Sequence, residues 1–172
     1  MRTGMALTGL LWLGLMLGIV GTHELTLRTG QEVVLETVPV DPRDLFRGDY
    51  VILSYAASAL DLSTLPNDLR QPKRGQTVYV ALATGGAHAT AKGVYAARPP
   101  QEPVCLRGRI DWVTGKRLRV EYGIESFFVP EGKGHSLEQA RGKALEVVAA
   151  VDRSGRAAIK SVRLNGKDVV FR

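Results

Sequence analysis

Cysteine and histidine are scarce in this chain of 172 residues. Cys105 is the only cysteine, which excludes an intrachain disulfide and leaves a cysteine-based metal site without its usual partners. The histidines, His23, His88 and His135, are scattered along the sequence. We therefore expect neither a metal nor a cofactor, and we expect Cys105 to be a buried thiol.

Charged residues are absent from the stretch between residues 3 and 22. At a helical rise of about 1.5 Å per residue, such a stretch extends for about 30 Å, which matches the hydrocarbon core of a bilayer. The sequence therefore predicts a membrane anchor over residues 1–23, with residues 4–21 in contact with lipid. Gly14 and Gly18 form a G-x-x-x-G pattern, which would let a second membrane helix approach closely.

The flanks of this stretch predict its orientation. Arg2 precedes it, and Glu24 with a single Arg28 follows it, which favours a cytoplasmic amino terminus and a periplasmic or otherwise extracytoplasmic domain over residues 24–172. A cleaved signal peptide is the alternative, but the end of the stretch lacks an A-x-A-like cleavage site.

The remainder of the chain shows alternating or continuous apolar runs between turn residues, a pattern typical of an all-β sandwich or barrel. We predict a mainly β fold, in which the transmembrane helix precedes a compact antiparallel β domain. Ser136 and Gln139 form a capping box, so one short helix is expected at residues 137–141. The predicted strands lie at residues 32–40, 48–55, 78–83, 94–97, 106–122 (a hairpin), 145–151, 157–164 and 169–171.

Two turns carry the most specific local patterns. Asn165-Gly166 is typical of a two-residue hairpin turn. The hairpin over residues 106–122 is predicted to turn at Thr114-Gly115, with one face apolar and the other charged. The predicted inward side chains are Leu106, Ile110, Trp112, Leu118, Val120 and Tyr122, and the outward ones include Arg107, Arg109, Arg117 and Arg119.

Two stretches contain more than alternating apolar residues. In the first stretch, residues 40–55, Gly48-Asp49-Tyr50 is followed by Leu53 and Tyr55. In the second stretch, residues 122–134, the run V-P-E-G-K-G occupies residues 129–134. Both stretches resemble those of the GDYXXLXY protein family, and the similarity extends over nearly the whole chain. The resemblance implies a bacterial membrane-anchored protein of uncharacterised function, often encoded beside multi-pass membrane proteins, and it supplies no catalytic residue.

We expect a non-catalytic accessory or binding domain that acts with a multi-pass membrane protein or an envelope component. Loops on a rigid β scaffold are where binding residues usually concentrate, so the two motif loops are the predicted surface. Of the two motif tyrosines, at least one is expected to be buried with its hydroxyl hydrogen-bonded. The candidate binding residues are Arg43, Asp44, Arg47, Gly48, Asp49, Tyr50, Tyr55, Glu125, Pro130, Glu131, Gly132 and Lys133.

Other functions stay open with less support. An envelope hydrolase would use Glu131, Asp49 or Asp44 as acid or base. A Gly-Asp at the start of a strand is also similar to signal peptidases, yet no serine or threonine nucleophile lies between residues 39 and 48. The net charge of +6 suits anionic lipid, which the arginine face of the hairpin could contact. No recognition-helix or RNP-like pattern is present, so nucleic acid is not an expected partner.

Overall fold

The computed structural model describes residues 2–38, 46–47, 50–128 and 145–169, with side chains described for residues 8–38, 52–127 and 145–169. The first element is a helix, α1 (Arg2–Thr29), and its part Thr8–Thr29 is long and apolar enough to cross a membrane. The large apolar side chains of this part point away from the protein: Leu11 is 74% exposed and Val20 is 65% exposed.

The helix continues beyond residue 23, where the predicted anchor ends. Its last turns pack on the β domain, and Thr26 is buried there. The Thr26 hydroxyl has two acceptors for its proton, Thr22 O at 3.0 Å in the helix and Asp152 Oδ2 at 3.3 Å in the β domain. At Gly30, an added Cβ would lie 2.9 Å from the backbone nitrogen of Val151, so the close approach of the two segments requires glycine. The end of α1 is therefore attached to the domain.

The rest of the described chain is mainly β, as predicted, and its strands form three sheets in which all strand pairs are antiparallel. The strands are β1 (Gln31–Glu36), β2 (Phe46–Arg47), β3 (Tyr50–Ile52), β4 (Ala59–Asp61), β5 (Thr77–Ala83), β6 (Thr90–Tyr95), β7 (Cys105–Thr114), β8 (Arg117–Glu121), β9 (Ser126–Phe128), β10 (Leu145–Val151), β11 (Ala157–Leu164) and β12 (Lys167–Asp168). A short 3-10 helix occupies Ala56–Ser58. The first sheet has the order β1-β10-β11-β12, the second β2-β3-β9, and the third β4-β8-β7-β5-β6.

The chain that follows β4 covers the outer edge of the five-stranded sheet. Asn67 forms a parallel bridge with Val94 in the edge strand β6, and the Val94 N–H donates to Pro66 O at 2.9 Å. Covering an edge in this way satisfies its free backbone groups and prevents pairing with another chain. The sheet is thereby nearly closed.

One hydrophobic core joins the sheets. Leu35 and Val147 reach it from the four-stranded sheet, and Val80 and Leu106 reach it from the five-stranded sheet. Cys105 is buried beside this core, as predicted. Burial raises the pKa of the Cys105 thiol, so the reactive thiolate form is disfavoured.

The predicted hairpin over residues 106–122 is present as β7 and β8. The prediction that Trp112 points inward is wrong. The pairing register shifts between Ile110 and Trp112, so Asp111 is an extra residue in β7. A bulge of one residue reverses the alternation of the side chains that follow it. Trp112 consequently pairs with Arg119 and is 41% exposed, while Val113 turns towards the core.

Several other boundaries differ from the predictions. The strand predicted over residues 48–55 ends at Ile52, and Tyr55 instead forms an isolated bridge with Thr37. The Asn165-Gly166 turn is confirmed, with φ values of 52° and 76° that suit a two-residue hairpin. The helix predicted over residues 137–141 lies outside the described residues.

Candidate functional site

The two motif stretches meet in the three-stranded sheet. In the pairing of β3 with β9, Tyr50 lies opposite Phe128 and Ile52 lies opposite Ser126. The Leu53 N–H extends this contact by donating to Glu125 O at 2.7 Å. The strand of the first motif is therefore hydrogen-bonded directly to the strand that precedes the V-P-E-G-K-G run.

A pair of tyrosine hydroxyls joins the same two stretches a second time. Tyr55 is 0% exposed, and its hydroxyl donates to Ile124 O at 2.5 Å. In the reverse direction, the hydroxyl of the buried Tyr122 donates to Ala57 O. The Tyr55 hydroxyl thus bonds to the backbone of the second stretch, and the Tyr122 hydroxyl bonds to the backbone just after the first. We refer to Tyr55, Ala57, Tyr122 and Ile124 as the tyrosine clasp.

The surroundings of the clasp keep both hydroxyls protonated. Burial raises the pKa of Tyr55 and of Tyr122 well above the ordinary tyrosine value, and the nearby carboxylate of Glu125 raises both further. A protonated phenol is a donor, as both hydrogen bonds of the clasp require. The predicted burial of a motif tyrosine with a bonded hydroxyl is confirmed for Tyr55.

Glu125 closes the turn between the two halves of the second stretch. Its Oε1 accepts a hydrogen bond from the Tyr122 N–H at 2.5 Å, and its Oε2 accepts one from the Gly123 N–H at 2.8 Å. Gly123 has a φ of 81°, a conformation that favours glycine. Because both carboxylate oxygens bond to the backbone, the geometry gives Glu125 the role of a turn-closing residue that supports Tyr122.

Ser54, which no pattern in the sequence indicated, links the chain beside the clasp to its neighbours. Its hydroxyl accepts a hydrogen bond from Arg119 Nη2 at 2.9 Å, and its carbonyl accepts one from the Val38 N–H at 2.8 Å. Arg119 therefore has a partner within the domain, although the alternation of side chains along β8 predicts that it points outward. Only the tertiary structure reveals this contact, since the two residues are 65 positions apart.

The structure describes only some of the predicted binding residues. Tyr55 is part of the clasp, and Glu125 lies beside it. Arg47 and Tyr50, of which only the backbone is described, are paired with each other across β2 and β3. Tyr50 also lies opposite Phe128, the last residue of β9. The candidates outside the described residues are Arg43, Asp44, Gly48, Asp49, Pro130, Glu131, Gly132 and Lys133.

The arginine face of the hairpin carries charges of both signs. Arg109 lies opposite Glu121 across the strand pair, and Arg117 is 3.9 Å from Asp61. Such mixed charge gives a weaker field than arginines alone would give. Within the described part of the chain, no group of three or more histidine, cysteine, aspartate or glutamate side chains is arranged to hold a metal ion.

The architecture of this protein is an apolar helix followed by a β domain. Within the domain, paired strands and two tyrosine hydrogen bonds join the two motif stretches. The family model for the GDYXXLXY protein matches residues 12–162, which include part of α1 and most of the β domain. The chain belongs to this family. No curated protein and no solved structure matches it.

Proposed function

We propose that this chain is a bacterial, single-pass membrane protein whose extracytoplasmic β domain is a non-catalytic accessory module for a multi-pass membrane protein or an envelope component. Residues 41–49 and 125–134 form its binding loops. The tyrosine clasp is the observation that carries the proposal, because together with the pairing of β3 and β9 it holds the described parts of the two motif stretches against each other. Rigidly held loops are a common means of presenting binding residues.

The helix supports this proposal. Its apolar side chains are exposed in the isolated chain, so a bilayer or another membrane helix would have to cover them. Nothing lies within 4 Å of a Cβ added at Gly14 or Gly18, which leaves the G-x-x-x-G face open to a second helix. A multi-pass membrane protein provides such helices beside the domain.

The anchor and the orientation are tested first. A reporter that is active only outside the cytoplasm, fused after Arg172, is expected to be active and to remain in the membrane after an alkaline carbonate wash. Activity only in the cytoplasm would contradict the orientation. Release of the reporter into the soluble fraction would contradict the anchor.

The binding loops are tested by site-specific photocrosslinking in intact cells. A photoreactive residue is placed at Asp49 or Glu131, and a matched control is placed at Lys116 in the exposed turn between β7 and β8. We expect both loop positions to give an adduct with the same multi-pass membrane protein or envelope component, and the control to give none. Different adducts from the two loops, or the same adduct from Lys116, would contradict a shared binding surface.

A further inference from the structure

A cleft of about 750 Å³ separates the end of α1 from the β domain. Its walls are the last two turns of the helix, the segment around residues 98–104 and the turn between β10 and β11. Arginine and threonine side chains dominate its polar lining, namely Thr22, Thr26, Thr29, Arg98, Arg153 and Arg156.

The position of the cleft along α1 places it at the surface of the bilayer. The apolar run ends near Val20, and the first acidic residue of the chain is Glu24. From Gly21 to Thr26 the helix rises by about 7.5 Å, which is within the thickness of about 5–8 Å of a headgroup layer. If residues 4–21 span the hydrocarbon core, the wall at Thr22 and Thr26 lies at the depth of the lipid headgroups.

Arg98 has hydrogen-bonding capacity that the described chain does not use. Its Nε atom is buried and has no hydrogen-bond partner among the described residues. Its Nη2 atom makes a long contact of 3.4 Å with Pro103 O. The buried Nε is not accessible from the cleft, so a ligand there would meet the Nη atoms of Arg98. A phosphate oxygen is a geometrically matched acceptor for guanidinium N–H groups.

The single carboxylate in the cleft does not neutralise its arginines. Asp152 accepts hydrogen bonds from the Ser154 N–H at 2.7 Å and from Arg156 Nε at 3.0 Å, and it also bonds Thr26. Asp152 is thus committed to its own turn and to the helix. Arg98 and the exposed Arg153 form no ion pair within the described residues, so positive charge remains at the cleft.

We propose that this cleft binds the phosphate of an anionic phospholipid in the leaflet that faces the domain. Arg98 donates to the phosphate from the inner wall, and Arg153 adds attraction at the rim. The inference rests on the membrane anchor of the proposed function, but not on the binding loops. A lipid held between α1 and the β domain would fix the angle between the domain and the membrane.

The test uses the full chain in detergent micelles, with phosphatidylglycerol or phosphatidylcholine added and bound lipid counted by native mass spectrometry. The variants are Arg98→Gln, which removes the inner donor, and Arg153→Gln, which changes an exposed residue and leaves the packing intact. Arg74→Gln is the matched control, because Arg74 is 82% exposed and lies outside the cleft. Glycerol phosphate and inorganic phosphate serve as soluble competitors.

We expect the unaltered chain to retain phosphatidylglycerol selectively. Arg98→Gln should lower the affinity for this lipid roughly tenfold and Arg153→Gln severalfold, because each variant loses one charge-assisted contact. Arg74→Gln should bind as the unaltered chain does. Equal retention of the two lipids, or equal effects of Arg153→Gln and Arg74→Gln, would overturn the proposal. Displacement by inorganic phosphate at concentrations equal to those of the lipid would overturn the lipid assignment in favour of a free anion. The carbonate wash tests the anchor separately.

Discussion

The tyrosine clasp gives the most direct test of how the motif stretches are joined. Tyr55→Phe removes the hydroxyl that donates to Ile124 O, and Tyr122→Phe removes the one that donates to Ala57 O. Both tyrosines are buried, and phenylalanine keeps their rings and their packing. Each substitution therefore isolates the loss of one hydrogen bond.

The expected cost follows from the acceptor that each substitution leaves behind. A buried carbonyl without a partner costs about 1–3 kcal/mol, out of a total stability of about 5–15 kcal/mol for a domain. Because both bonds join the same two segments, loss of one loosens the other. The double variant Tyr55→Phe/Tyr122→Phe should lose less than the sum of the single variants, with a coupling of about 0.5 kcal/mol or more.

Thermal unfolding of the full chain in detergent, followed by circular dichroism in the β region, measures these effects. For a domain of this size, 1 kcal/mol shifts the Tm by about 2–4 °C, so each single variant should lower the Tm by at least that amount. Tyr79→Phe is the matched control. Tyr79 is half-buried in β5, and its hydroxyl makes no hydrogen bond in the described part of the chain.

Two outcomes would refute the reasoning about the clasp. If Tyr55→Phe and Tyr122→Phe change the Tm no more than Tyr79→Phe does, the hydroxyls do not stabilise the fold. If both variants are destabilised but their effects add within a few tenths of a kcal/mol, the two bonds act independently. In that case the clasp would not hold the motif stretches as one unit.

Three further predictions use other parts of the domain, and denaturant or thermal unfolding measures each. Gly108→Ala should cost about 2 kcal/mol or more, because an added Cβ would lie 2.2 Å from Val120 Cγ1; a smaller loss would show that β8 moves aside. Burial raises the pKa of the Asp152 carboxyl, but hydrogen bonds within its turn outweigh burial and hold this pKa below the ordinary value. Asp152 therefore stabilises the fold above about pH 4, and this stabilisation is lost as the pH falls further. Below pH 4, the free energy of unfolding of Asp152→Ala should fall less steeply with pH than that of the unaltered chain. An unchanged dependence on pH would contradict this. Asp49→Ala and Glu131→Ala should be non-additive by about 0.5 kcal/mol or more if the two loops touch, and additive otherwise.

The features that the sequence predicted correctly depend on local patterns. Apolar runs predicted strands over residues 145–151 and 157–164, where the structure has β10 and β11, and the Asn165-Gly166 dipeptide located its turn. The uncharged N-terminal stretch predicted a long apolar helix. In each case the determining residues are neighbours along the chain, so their spacing is sufficient.

The features that the sequence did not reveal depend on distant contacts. Trp112 faces outward because a bulge forms where β7 meets β8, and alternation within a single strand does not show a bulge. The clasp joins Tyr55 to Ile124 across 69 positions. The sequence indicated that a motif tyrosine would be buried, but only the fold shows which carbonyl accepts its hydrogen bond.

These contacts give the second half of the family motif a physical role. Leu53 and Tyr55 are buried, so this half fills the core and supports the clasp. Gly48 and Asp49, in the first half, lie outside the described residues, and Tyr50 after them pairs with Phe128 in β9. A substitution at Leu53 or Tyr55 should therefore affect function only through stability. A substitution at Asp49 that reduced partner crosslinking without lowering the Tm would place binding in the first half of the motif.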